Sequence, residues 1–264
     1  MKSADSMIVV IAPFIIFILV FGLDVHITYL ESLLLVYGIP GVYLSLKNLR
    51  KIPKVARFTF WVCIPVAVIC ELVASGDRAW TVPKSILPYR FFGIIPVEDF
   101  VWILIVTYTV LMYYEHFQNN QFQSTMSLNR MLLLLDPLCV AVMLVFMWNR
   151  TLLSIHYAFA LLGLVLFIIP LALFFNSAPY LFATFVKTDM FFIYCNLVFE
   201  LVGLKLNHWS FDGTHYIGWI RILGLNVPLE ELVFVIILGA FVACAYYEYC
   251  TLKAFPASHS PESR

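Results

Sequence analysis

Stretches of about 17 or more predominantly apolar residues recur along the whole chain. A run of that length suits a helix crossing a bilayer, because a lipid-embedded backbone must satisfy its own hydrogen bonds. Composition agrees. Of 264 residues, 62% are hydrophobic and 12% charged, with a mean hydropathy of +0.93. A soluble domain of this length could not bury so much apolar surface. A membrane barrel would instead alternate polar and apolar residues. The expected fold is therefore an all-α, polytopic transmembrane bundle. Eight spans can be placed, at 7–23, 29–46, 57–75, 97–115, 130–148, 154–175, 180–204 and 229–249. The number falls to seven if 180–204, which carries Lys187 and Asp189 near its start, does not cross.

Residues 1–28 read as an N-terminal anchor rather than a cleaved signal. Only Lys2 is basic ahead of the apolar run, Asp5 offsets it, and "FGLDVH" offers no small-residue cleavage site. The densest basic loop, "KNLRKIPKVAR", is expected in the cytoplasm. With eight crossings both termini are then cytoplasmic, and loops 76–96 and 205–228 share the other face. The protein is expected to be a multi-pass integral membrane protein, in the inner membrane if bacterial. The tail 253–264 is polar and reads as disordered. Net charge is zero and no basic run is interleaved with aromatics, so nucleic acid is not an expected partner. The six cysteines form no CxxC and read as packing residues.

Two segments match each other. One reads "ELVASGDRAWTVPKSILPYRFFGIIPVEDFVWILIVTYTVLMYYE" and the other "ELVGLKLNHWSFDGTHYIGWIRILGLNVPLEELVFVIILGAFVACAYYE". Glu71 precedes Trp80 by nine residues, as Glu200 precedes Trp209. Each Trp is followed by a loop, a glycine (Gly93, Gly224), then Pro-x-acid-acid: Pro96, Glu98, Asp99 against Pro228, Glu230, Glu231. Each following span ends in Tyr-Tyr-Glu, at Glu115 and Glu248. Four matches in one order indicate an internal duplication. The repeats are placed at 29–120 and 151–252, joined by a linking helix within 121–150. An even number of intervening crossings makes them parallel rather than inverted.

Pro-x-Glu is also how many ordinary helices begin, with proline and acids in the first turn. Its repetition, with Glu71 and Glu200 near the ends of their own spans, argues for more. A carboxyl losing water is pushed toward its neutral form, and a neighbouring carboxylate pushes further. Adjacent helical residues point about 100° apart, so one of each pair is expected to face the interior. One protonated and one ionised carboxyl per pair would combine a general acid with a base or cation stabiliser. Such an acid in a dry aromatic chamber can protonate an unactivated alkene, with π faces and anions supporting the carbocation. Trp80 and Trp209 either line that site or anchor the interface.

The segments "WSFDGTHYIG…LGLNVPLEELVF" and "FFGIIPVEDF" resemble the membrane-embedded lycopene cyclase domain, in its fused tandem form. The resemblance covers roughly 29–115 and 154–248, with 130–148 like the linking span. It implies redox-neutral cyclisation of the acyclic ends of lycopene, or a related carotenoid, to ionone-type rings. It implies catalytic roles for Glu98, Asp99, Glu230 and Glu231, and substrate contacts at Glu71, Trp80, Glu200 and Trp209. It also implies a polyene substrate, and other carotenoid-pathway enzymes as partners. The chain departs from the family in having Glu71 and Glu200 where the family has Asp before the Trp, Asp99 for the second Glu, and "WTV" for "WSF".

The alternative is a transporter or proton channel using duplicated intramembrane carboxylates, which would favour helices broken at midplane. A prenyltransferase would need Asp-rich metal motifs, and there is no DxxxD. A di-iron enzyme would need HxxH or HxxxH boxes, which the six histidines do not form; His208 and His215 alone flank one loop. No GxGxxG is present, and no cofactor or metal is expected. Activity should therefore survive chelators and removal of nucleotides, as an assay on isolated membranes would measure. Strict dependence on a metal, a flavin or a nicotinamide would count against this chemistry.

Overall fold

A computed structural model describes residues 2–83, 85, 87–118 and 126–251; the polar tail 253–264 lies outside them. The chain is helical and suited to a bilayer. The helices are α1 (Lys2–Phe17, running into a π turn at Ile18–Gly22), α2 (Tyr29–Lys47), α3 (Ile52–Asp77), α4 (Val97–Phe117), α5 (Asn129–Asn149), α6 (Ala158–Ser177), α7 (Phe182–Leu206) and α8, a bent pair Glu231–Ile237 and Gly239–Thr251. Five are long and apolar enough to cross a membrane, namely α2 to α6, or six if the bent pair is one span. The other two expected crossings are helical as well. In α1 the apolar part is the shorter Val9–Gly22, and α7 carries Lys187, Asp189, Glu200 and Lys205. On α5, Leu133 is 77% and Trp148 88% exposed, surface that hydrocarbon covers at no cost.

Local chemistry explains several boundaries. Thr28 caps α2: its Oγ1 accepts from Glu31 N–H at 3.3 Å while Glu31 Oε2 accepts from Thr28 N–H at 2.7 Å. Both α2 and α6 widen into a π turn, at Leu34–Gly38 and Leu164–Ile168, just before Ile-Pro at residues 39–40 and 169–170. Proline has no N–H to donate, and its ring crowds the carbonyl one turn back. A local widening accommodates both.

The loops after α3 and α7 are not plain connections. Each contains a small antiparallel hairpin: β1 (Arg90–Phe91) with β2 (Ile95–Pro96), and β3 (Trp219–Ile222) with β4 (Leu225–Pro228). The two glycines of the matched segments sit at the tips, Gly93 at φ +74° and Gly224 at φ +85°, each preceded by a residue also at positive φ. Only glycine enters that region without strain, and paired positive φ values give the turn that suits strand twist. Each hairpin ends on the proline that opens α4 or the acids of α8. The loops also meet. Thr81 and Ser210, each just after its tryptophan, exchange two backbone hydrogen bonds of 2.9 Å.

The opposite ends of α4 and α8 are joined crosswise. Tyr114 donates to Glu248 at 2.7 Å, and Tyr247 donates to Glu115 at 2.5 Å. Glu115 also pairs with Lys51 at 2.8 Å and Lys54 at 3.3 Å, so two residues of the basic loop neutralise it. Among the described residues, Glu248 has Thr251 Oγ1, at 2.8 Å, besides its tyrosine. Removing a donor from a buried acceptor costs about 1–3 kcal/mol. Tyr114→Phe should therefore destabilise more than Tyr247→Phe, whose glutamate keeps two lysines. Thermal unfolding of the detergent-solubilised protein checks the order, and the reverse order would refute this account of the clamp.

Candidate functional site

A cavity of about 190 Å³ lies beneath the two joined loops. Glu71, Trp80, Asp99, Glu200, Trp209 and Glu231 all line it, so both matched segments contribute to one space. Trp80 Nε1–H donates to both carboxyl oxygens of Glu71 at 3.2 Å, and Trp209 Nε1–H donates to Glu200 at 3.1 Å. The nine-residue spacing has a structural reason. A left-handed residue ends each helix (Arg78 at φ 52°, Asn207 at φ 61°) and turns the chain back, so the indole reaches the carboxyl two turns below. Gly203 makes room for this: a Cβ there would lie 2.0 Å from the Trp209 ring.

Adjacent acids part company. Asp99 and Glu231 face the cavity. Glu98 and Glu230 do not line it; they hold the loops. Glu98 accepts from Ser85 Oγ and from Leu87 N–H, both at 2.8 Å, and Glu230 accepts from Ile217 N–H at 2.6 Å. This follows from the 100° step between neighbours on a helix. Each face-in acid meets the tryptophan-bound one. Glu231 lies within electrostatic range of Glu200, as Asp99 does of Glu71.

The remaining walls are apolar and aromatic. Trp209 packs on Phe199 and edge-on to Tyr29, with centroids 5.2 and 5.5 Å apart. Trp80 meets Phe159 at 5.2 Å, and Phe234 lies near Phe159 and Phe167. Phe234 fits against α6 only because residue 163 is glycine; a Cβ there would lie 2.1 Å from its ring. No Lys, Arg or His lines this cavity among the described residues. The basic residues of the first loop stand behind it. A second cavity of about 200 Å³ is lined by Arg78, Arg90, Ser75 and Thr81, and shares Glu71, Trp80 and Asp99 with the first. Arg90 is held there by Val82 O and Ile94 O, each at 2.9 Å, within electrostatic range of Asp99.

The sequence reading missed the device that sets Glu231. The helix pair of α8 bends by 54° between Ile237 and Gly239, where α4 is one uninterrupted helix. Freed backbone groups at such a break need partners inside a bilayer. Asn196 Nδ2 donates to Val235 O at 3.0 Å, while Asp189 Oδ1 accepts from Phe241 N–H at 3.0 Å. The two lie seven residues apart on α7, two turns along one face. Tyr37 O–H fixes Asn196 through Oδ1 at 2.6 Å. Asp189, near the start of the span 180–204, caps the second half of α8. The legible signal was a Gly inside an apolar span facing an Asp and an Asn at that spacing.

His208 and His215 serve the loops rather than each other. His208 bonds Ile27 O at 2.9 Å, and burial holds its imidazole below the usual histidine range. His215 Nδ1 meets Asp77 at 2.7 Å and stacks on His156. Among the described residues there is no group of three or more His, Cys, Asp or Glu arranged to hold a metal.

Asp189→Leu and Asn196→Leu should each lower stability by about 1–3 kcal/mol, by stranding backbone groups at the break. Asp189→Asn, which keeps an acceptor, should cost much less. Thermal unfolding in detergent reads all three, and equal losses for Leu and Asn at residue 189 would refute the capping role. No protein-family model, no curated protein and no solved structure matches the chain.

Proposed function

We propose that the chain is a membrane-embedded cyclase of the lycopene cyclase type. It would close rings at the acyclic end or ends of lycopene, or of a related polyene, without net redox change. The observation that carries this reading is the pairing of two Glu–Trp–acid sets around one apolar, aromatic-walled cavity. The reading also takes the matched segments as a duplicated domain, with eight crossings, both termini in the cytoplasm and the hairpin loops on the far face.

The chemistry follows from the groups present. A carboxyl proton adds to the terminal C=C and leaves a tertiary carbocation. The neighbouring C=C attacks that carbon, a C–C bond closes the ring, and the positive charge moves into the ring. Loss of a C–H proton to a carboxylate gives the new double bond, so one proton enters, one leaves, and the product is an isomer. Indole and phenyl faces favour the cation, and the dry cavity strengthens the attraction of nearby carboxylates.

One observation favours the second reading, a transporter or proton channel: α8 is broken beside the acid-lined cavity, as helices at many transport sites are. Expression in a bacterium that accumulates lycopene separates the two. A shift to monocyclic or bicyclic carotenes supports the cyclase. Unchanged pigment, with the protein present in the membrane, supports transport.

The placement of the acids sets the expected mutant order. Asp99→Asn and Glu231→Gln should lose about 10²–10⁴-fold in activity, the usual worth of general acid–base catalysis. Glu98→Gln and Glu230→Gln, at the loop-holding acids, should lose far less. Pigment yield measures this, and uniform mild losses in all four would defeat the catalytic reading.

A further inference from the structure

We infer that the two carboxyl pairs act together on a single ring closure, with Glu200–Glu231 delivering the proton and Glu71–Asp99 receiving the one released. This rests on the proposed cyclase function and divides its labour.

Three observations support it. First, both pairs open onto the same cavity of about 190 Å³. Second, the pairs differ. Glu200 and Glu231 both line a space with no Lys, Arg or His around it among the described residues, and neighbouring carboxyls without a cation favour retaining a proton. That pair lines the apolar cavity and does not line the second one. Third, Glu71 and Asp99 lie between the apolar cavity and the second one, where Arg90 sits in range of Asp99 and Arg78 is exposed. A cation nearby favours the ionised, proton-accepting form of a carboxyl, and the polar cavity gives a proton a route to the loop face.

The step balances. The proton held by Glu200 and Glu231 goes to the terminal alkene carbon, and the ring C–C bond forms. The ring C–H electrons become the new C=C, and their proton passes to Glu71 or Asp99. Glu71–Asp99 then gives its proton to water at the loop face through the second cavity, and Glu200–Glu231 takes one back when product leaves. No oxidant or reductant enters.

The test uses the full chain in a lycopene-accumulating bacterium, comparing wild type, Asp99→Asn and Glu231→Gln by pigment chromatography, with membrane yield and thermal midpoint measured for each. If the pairs cooperate, each variant loses both rings together, by 10²-fold or more, and monocyclic carotene does not build up in either. Glu231→Gln leaves acyclic pigment alone. Asp99→Asn still protonates the substrate, so its residual product includes cyclic alcohols or displaced ring double bonds, from water or another base ending the cation. Monocyclic carotene accumulating to near wild-type pigment yield in either variant would show independent half-sites and overturn the proposal. Alcohols from Glu231→Gln with none from Asp99→Asn would overturn the assignment of donor and acceptor. Where Asp99→Asn fails to reach the membrane, Glu71→Gln tests the same pair by the same readout. A wild-type chain that forms no ring refutes the cyclase reading itself, which is a different result from either variant pattern.

Discussion

A carboxyl group inside a bilayer protein needs a hydrogen-bond donor, and here the donor is an indole. Trp80 on Glu71 and Trp209 on Glu200 fix more than two side chains. Each bond ties the end of one long helix to the loop that follows it. That places the first loop strand beside its counterpart, where Thr81 and Ser210 pair. The pairing roofs the cavity and brings the starts of α4 and α8, with Asp99 and Glu231, to the same wall. Removing polar contact with water is expensive, so each of these connections is held by the cost of breaking it.

The same constraint governs the backbone. Where α8 breaks, its carbonyls and N–H groups cannot turn to solvent, and Asn196 and Asp189 on α7 take their place. The break leaves Glu231 on a short helical piece with its own direction, while Asp99 rides on an uninterrupted helix. Two stretches of similar sequence thus present their acids differently: one pair sealed in an apolar space, the other open to a cavity with arginines. Equivalent residues need not be chemically equivalent.

At the far end, Tyr114 with Glu248 and Tyr247 with Glu115 cross between α4 and α8. Together with the joined loops they hold these two helices at both ends around the cavity. A catalytic site of the kind proposed, with its reacting groups on two helices, benefits from such bracing, since small displacements of a reacting group are costly in rate.

The sequence by itself determined the membrane setting and the helical architecture, because long apolar runs leave the backbone few other ways to satisfy itself. It also determined the pairing of Glu71 with Trp80 and of Glu200 with Trp209 as recurring features, since their spacing is a local property of a helix end and its turn. Even the division within each acid pair was legible, as a consequence of the helical step, though not which member turned inward. Tertiary structure alone decided that it is Asp99 and Glu231, since helix rotation is set by packing on neighbours. It alone decided that Asp189 caps a broken helix, because its partner, the N–H of Phe241, lies 52 residues away in sequence. And it alone decided that both acid pairs face one cavity, because that depends on contacts between loops 129 residues apart, which no local pattern of residues encodes.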